Sequence, residues 1–364
     1  MSNIVLPLTP DHGINRVVLY DLPGAPIDEG IRSKTAYDLV GTAALFEQIR
    51  ARADDLKLPS ESVAGLNTGV FIAFDRCFES DDGRVHIAAR EIARRFGRNV
   101  GYILLALRHP AAQRELRPEW DSWLHQHWWT LARLWIGGGL IRGHLGDRLI
   151  EDIQAVFSEA GTVPPELMRD PYGAALPLVG AACCMRQVPD NAVVMDFGST
   201  NVKRGVAEYR DGTLRTLRVL PPFETDWHGS IEDETALRGF RDGFMIPAIA
   251  GTLAAVRLDS PQVNISLAAY VDESGQPFAR QGAIYAALGR ITEGFQQALS
   301  EQVSQSLGRR VQINLIHDGT AAAAAHPGDA VMTLGTAIGM GYAPPVPNPL
   351  PLARDFAVVM PAAP

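Results

Sequence analysis

An acidic residue that closes a buried strand, met twice in this chain, leaves few folds open. The first instance is Val193-Val194-Met195-Asp196-Phe197-Gly198-Ser199-Thr200, with Lys203 just beyond it. The second is Asn314-Leu315-Ile316-His317-Asp318-Gly319-Thr320, which runs into Ala321 and further alanines. A short apolar run bounded by turn residues reads as a buried strand. A carboxylate at its end, ahead of a turn rich in Gly and hydroxyls, suits Mg²⁺ with phosphate on the turn's N–H groups. For Asp196 the competing reading is a hairpin turn with an Asx-type hydrogen bond. Asp318 has the reach of a general base, and its competing reading is a cap ahead of strong helix formers. A third turn, Val331-Met332-Thr333-Leu334-Gly335-Thr336-Ala337-Ile338-Gly339, is by itself a tight turn or bulge.

The chain has 364 residues, enough for two domains. A formal charge of −8 disfavours nucleic acid and anionic membrane as partners, since both reward clustered Lys and Arg. Three cysteines, with Cys183 and Cys184 adjacent, make no disulfide framework, so a reducing cytoplasm is expected. No secretory signal opens the sequence and no apolar stretch reaches bilayer length.

Along the chain, Val17–Tyr20 reads as a strand and Ala36–Ala53 as a helix. Val85–Leu107 is a clearer helix, with Val85, Ala88, Ile92, Phe96, Val100, Ile103 and Leu107 on one stripe. The Trp- and His-rich segment Asp121–Leu134 reads as helical, its tryptophans as core. Leu134–Ile136 is a strand broken by Gly137-Gly138-Gly139, and helices follow over 146–160 and Gly173–Met185. After the turn Gln187–Asn191 the texture changes to strands, Ala192–Asp196, Val202–Tyr209 and Leu214–Leu220. Gly229–Arg257 reads as helical, Val263–Tyr270 as a buried strand and Ile284–Leu307 as one long helix. Strands at Val311–Ile316 and Ala330–Leu334 follow, and from Ala343 the Pro-rich chain reads as a loop or extended tail. The whole is α/β in two lobes.

Asp-x-Gly-x-Thr at Asp196, Asp-Gly-Thr-Ala-Ala at Asp318 and Leu-Gly-Thr-x-Ile-Gly at Leu334 resemble the two phosphate segments and catalytic aspartate of the sugar kinase/hexokinase/actin superfamily. Their spacing is similar to that of its bacterial ROK sugar kinases. Leu134-Trp135-Ile136-Gly137-Gly138-Gly139-Leu140 resembles the ROK adenosine segment, but it precedes Asp196, whereas in that family it follows the catalytic aspartate. Tyr172-Gly173-Ala174-Ala175 resembles the family's closing helix, here upstream of its first strand. The order implies a circularly permuted, two-lobed actin-like ATPase of ribonuclease H-like fold. Residues 172–328 would form a smaller lobe with the first phosphate strand and catalytic Asp. Residues 1–171 plus 329–364 would form a larger lobe with the adenosine and second phosphate segments.

The resemblance implies Mg-ATP held between lobes, with Asp196 on Mg²⁺ and Gly198, Ser199, Thr200 and Lys203 at the β- and γ-phosphates. Gly335 and Thr336 would cradle phosphate, Gly137, Gly138 and Gly139 would admit the adenosine, and Asp318 would take the proton from an attacking hydroxyl. The acceptor implied is a small-molecule sugar or polyol, and assembly as a homodimer fits the family. Cys77, Cys183 and Cys184 cannot supply the family's zinc cluster, so no zinc is expected. The family's Glu-x-Gly-His sugar segment is absent, and His317 stands where an Asn that helps hold the sugar is usual. Two other functions fit the same scaffold: an inactive sugar-binding or regulatory protein, and a nucleotide or polyphosphate hydrolase. Neither a helix-turn-helix segment nor a basic patch supports the repressor role known in that family.

Overall fold

The computed structural model describes residues 8–27, 29–109, 128, 130–141, 143–225, 227, 229–256, 258, 262–279, 283–342 and 348–361. Most of the expected helix over 121–134 falls outside them, although Trp128 is described and buried. No helix among the described residues is long and apolar enough to cross a membrane.

Val17–Tyr20 is not a strand. A short 3-10 turn at Ile14–Arg16 precedes it and only Val18 bridges, to Thr35. The helix expected from Ala36 divides at Gly41 into α1 (Ala36–Val40) and α2 (Thr42–Ala51), because the Thr42 N–H leaves the helical pattern to donate to Gly335 O. A Thr35 and Asp38 capping box starts α1. After α3 (Thr68–Arg76), the striped segment forms α4 (Gly83–Arg108) and continues to β1 (Arg133–Gly137), α5 (His144–Glu159) and β2 (Glu166–Arg169). Gly97 and Gly101 of α4 lie against Asp152 and Val156 of α5, so the two helices approach closely.

Pro177, in the first turn where its missing N–H costs nothing, opens α6 (Leu176–Cys183). Then come β3 (Asn191–Phe197), β4 (Asn201–Arg210) and β5 (Thr213–Glu224). The expected helix from Gly229 is α7 (Glu234–Phe240), a π turn at Arg241–Met245 and α8 (Ile246–Val256). β6 (Gln262–Leu267) is followed by α9 (Ile284–Ala287) and α10 (Phe295–Leu307). Here one long helix was expected. It breaks because Gly294 takes a left-handed φ of 64° and Gly289 packs on Pro277 O too closely for any side chain. The chain ends with β7 (Gln312–His317), α11 (Asp318–Ala324), β8 (Ala330–Leu334), β9 (Ile338–Tyr342) and β10 (Leu352–Val359). The tail expected beyond Ala343 thus contains a strand, since Leu352–Val359 holds no proline and β10 pairs in parallel with β5.

The strands form two sheets, one ordered β2-β1-β8-β9 and the other β10-β5-β4-β3-β6-β7. In the larger sheet β3, β4 and β5 form an antiparallel meander, while β6 pairs in parallel with β3 and β7 with β6. That is a ribonuclease H-like arrangement, and the fold is α/β. Val193, Met195 and Phe197 of β3 share one core with Ile265 of β6 and Leu299 and Val303 of α10. From the opposite face, Asn264 of β6 donates to Ala181 O of α6.

Two compact units divide the chain. The first holds the described residues of Met1–Pro10, Ala174–Val331 and Gly341–Pro364; the second holds Asp11–Gly173 and Met332–Met340. β10 therefore lies with the unit that carries Asp196, not with the larger lobe expected over 1–171 and 329–364, because its hydrogen bonds go to β5.

Candidate functional site

In the first unit the centre of interest is the end of β3. Every residue from Ala192 to Phe197 is buried, and Asp196 keeps only 3% of its surface exposed. A carboxylate so buried needs partners, and the two flanking strands supply them. Lys203, opposite Asp196 in the antiparallel register with β4, brings Nζ to 2.6 Å from Oδ2. Ser266, opposite Asp196 in the parallel register with β6, donates its hydroxyl to Oδ1 at 2.8 Å.

The turn after β3 is fastened by its carbonyls. Gly198 O accepts from the Tyr285 hydroxyl at 3.1 Å, and Thr200 O accepts from the Thr225 N–H at 3.1 Å. Gly198 N–H closes the turn on Asn201 O, while Ser199 and Thr200 are exposed. Holding the carbonyls inward leaves this small-residue turn free to present N–H groups and hydroxyls outward.

Asp318 is the first residue of α11, directly after β7, and 32% of its side chain is exposed. Its Oδ1 accepts from Gly319 N–H at 2.7 Å. Burial and then the negative charge of Asp196 push its carboxyl up to about 7, against the opposing pull of Gly319 N–H and Lys203. The acids at the ends of β3 and β7, with β6 between the two strands, thus share one electrostatic environment, in which Lys203 pairs with Asp196 and also favours the ionised form of Asp318.

His317 differs from the expected sugar contact. Its side chain is buried, stacks on Tyr270 with ring centroids 4.2 Å apart at 16°, and caps α11 by accepting Thr320 N–H at Nδ1. An N–H can only be accepted by an unprotonated nitrogen, so the ring proton sits on Nε2, 3.2 Å from Asp318 Oδ1. Burial pulls the imidazole down to about 3, so it is neutral at pH 7.

In the second unit the sheet brings Gly137, Gly138 and Gly139 beside the end of β8 with Gly335 and Thr336. Gly138 has φ 103°, and a Cβ there would stand 2.3 Å from Leu334 O, so no other residue fits. Gly335 O accepts Thr42 N–H, and the Asn15 amide both donates to and accepts from the Ile338 backbone. A cavity of about 460 Å³ lies in this unit, lined by Ile141, Arg169, Asp170, Pro171, Tyr172 and Gly173. Asp170 shapes its wall by accepting Tyr172 and Gly173 N–H groups.

Sequence reasoning missed Ser266, Tyr285 and Thr225. Ser266 carried a signal, a polar residue two positions from Asn264 in a buried strand; the other two lie in no motif. Among the described residues no cluster of three or more His, Cys, Asp or Glu could hold a metal ion. Mg²⁺ needs no such cage: it keeps waters and takes one or two carboxylates plus phosphate oxygens, and the hard oxygens of Asp196 fit that demand. Cys77, Cys183 and Cys184 are free thiols, and burial pushes those of Cys77 and Cys184 up.

No family model matches the chain, and no curated protein matches it. Among solved structures it is similar to a ROK family glucokinase from Streptomyces griseus, at 21% identity and TM-score 0.27 over 41% of this chain and 43% of that one. It is also similar to a Ppx/GppA phosphatase from Aquifex aeolicus, at 12% identity and TM-score 0.21 over 36% and 38% of the two chains. The ethanolamine utilization protein EutJ from Carboxydothermus hydrogenoformans matches at 18% identity and TM-score 0.24 over 48% and 58%. The chain spans less than two thirds of each of these three proteins.

Proposed function

We propose that this chain is a permuted ROK-type kinase that transfers the γ-phosphoryl group of ATP to a hydroxyl of a sugar or polyol. The observation that supports this most is Asp318, a carboxyl poised near 7 at a strand end, in the field of the buried Asp196 and its half-buried partner Lys203. A general base works best with its pKa near the operating pH. Oδ1 is engaged by Gly319 N–H, and Oδ2 meets no side-chain donor among the described residues. Oδ2 therefore takes the proton as the substrate oxygen bonds to the γ-phosphorus and the β–γ bridging bond breaks, releasing ADP.

Asp196 holds Mg²⁺, which supplies charge neutralisation at the phosphates. Lys203 adds a cation, Ser199 and Thr200 offer N–H groups and hydroxyls to the β- and γ-phosphates, and Gly198 keeps the turn tight through its N–H bond to Asn201 O. Gly335 and Thr336 keep the second phosphate role, and Gly137, Gly138 and Gly139 the adenosine role. The joint Gln187–Asn191 supports the permutation, since only residues 184–190 separate the end of α6 from the start of β3.

The test is ADP release from Mg·ATP over a panel of sugars and polyols. Acceptor-dependent release is expected, and Asp318→Asn should lower kcat about 100- to 10,000-fold with nucleotide affinity within about threefold. Phosphate release independent of any acceptor would instead identify a hydrolase. A sugar-raised melting temperature without ATP consumption would identify a binding or regulatory protein.

A further inference from the structure

β6 carries two buried polar side chains, Asn264 and Ser266, two residues apart and hence on one face. Asn264 has a structural use, since its amide donates to Ala181 O and ties α6 to the sheet. Ser266 is fully buried, and its hydroxyl donates to Asp196 Oδ1. A buried hydroxyl costs free energy unless bonded, and this one spends its donor on the carboxylate assigned to the cation.

The two partners of Asp196 differ in freedom. Lys203 keeps 29% of its side chain exposed on a flexible stem, so it can turn from Oδ2 to a phosphate oxygen. Ser266 has 0% exposure and sits on a central strand between β3 and β7, so it cannot leave Oδ1. One restraint is displaceable and the other permanent. We propose that Ser266 is a positioning residue whose hydroxyl holds the Asp196 carboxylate in the orientation that receives Mg²⁺ once Lys203 has turned to the phosphates. This rests on the reading of Asp196 given above.

The test is calorimetric titration of a non-hydrolysable ATP analogue, in Mg²⁺ and in EDTA, into wild type, Ser266→Ala, Ser266→Cys and Ser266→Thr. Cys fills nearly the same space but donates weakly. The Mg²⁺-dependent gain in affinity should fall about 10- to 100-fold in the Ala and Cys variants, the usual cost of losing an outer-shell partner. Affinity in EDTA should stay within about twofold, and Thr should restore the gain. An undiminished Mg²⁺ gain in Ala or Cys overturns the proposal, as does a loss equal in Mg²⁺ and EDTA. If only Thr folds, the hydroxyl serves stability rather than the cation, and the proposal is again overturned. If wild type shows no Mg²⁺ gain at all, the Asp196 reading itself has failed, and this inference goes with it.

Discussion

Asp318 is set by opposing forces: desolvation and the Asp196 charge favour its neutral form, and Gly319 N–H with Lys203 favour the ion. The unfolded carboxyl titrates near 3.8 and the folded one near 7. Between those values the folded state binds more protons, so this group's contribution makes stability fall as pH rises from about 4 to about 7. Above 7 the folded chain carries the full penalty of an ionised, crowded carboxylate. Asp318→Asn should therefore melt higher than wild type at pH 8, with the difference nearly gone at pH 4, as scanning calorimetry would show. In catalysis the sign reverses, because the ionised form is the base. kcat/KM should climb with pH to a plateau above about 7, and a flat profile from pH 5 to 8 would count against the assignment. His317 stays neutral throughout that range, so it adds no titration of its own.

At the level of elements, the glycines that matter are those whose neighbours forbid a side chain. Gly138→Ala combines φ 103° with a Cβ 2.3 Å from Leu334 O and should cost well over about 1 kcal/mol in denaturant unfolding. Gly139→Ala meets nothing within 4 Å and should stay within about 0.5 kcal/mol. The triple glycine is conspicuous in the chain, yet only coordinates separate its members. β3, β4 and β6 were readable from sequence because buried apolar runs between Gly and Asp turns have few other uses. The breaks at Gly41 and Gly294 were not, since an apolar helical stripe continues across both. β9 was hidden by its own glycines, Gly339 and Gly341, which depress strand propensity while admitting close backbone contact, as between Gly341 and Gly319 O. Of the site, the two acidic strand ends stood out, whereas Ser266 acquires its partner only through the β3–β6 register.

For the molecule as a whole, β10 closes one end of the larger sheet, and Leu350 N–H fixes the approach to it on Cys183 O. Removing residues 343–364 would bare the β5 edge, a template for pairing with other chains. Such a truncation should melt lower and associate in a concentration-dependent way by light scattering, while Asp196 and Asp318 remain in place. The chain also revisits the second unit late, through Met332–Met340. β8 and β9 are half of the strands in the smaller sheet, and β8 is an inner strand of it. A growing polypeptide that has left the ribosome only as far as Gly173 possesses β1 and β2 but lacks the strand that must lie against β1. That stretch therefore waits, with an open seam, until the chain has been made as far as Met332–Met340. A 1–173 fragment should accordingly be cut rapidly by trypsin, and a chaperone that shelters such a seam would matter more to this protein than to one built front to back.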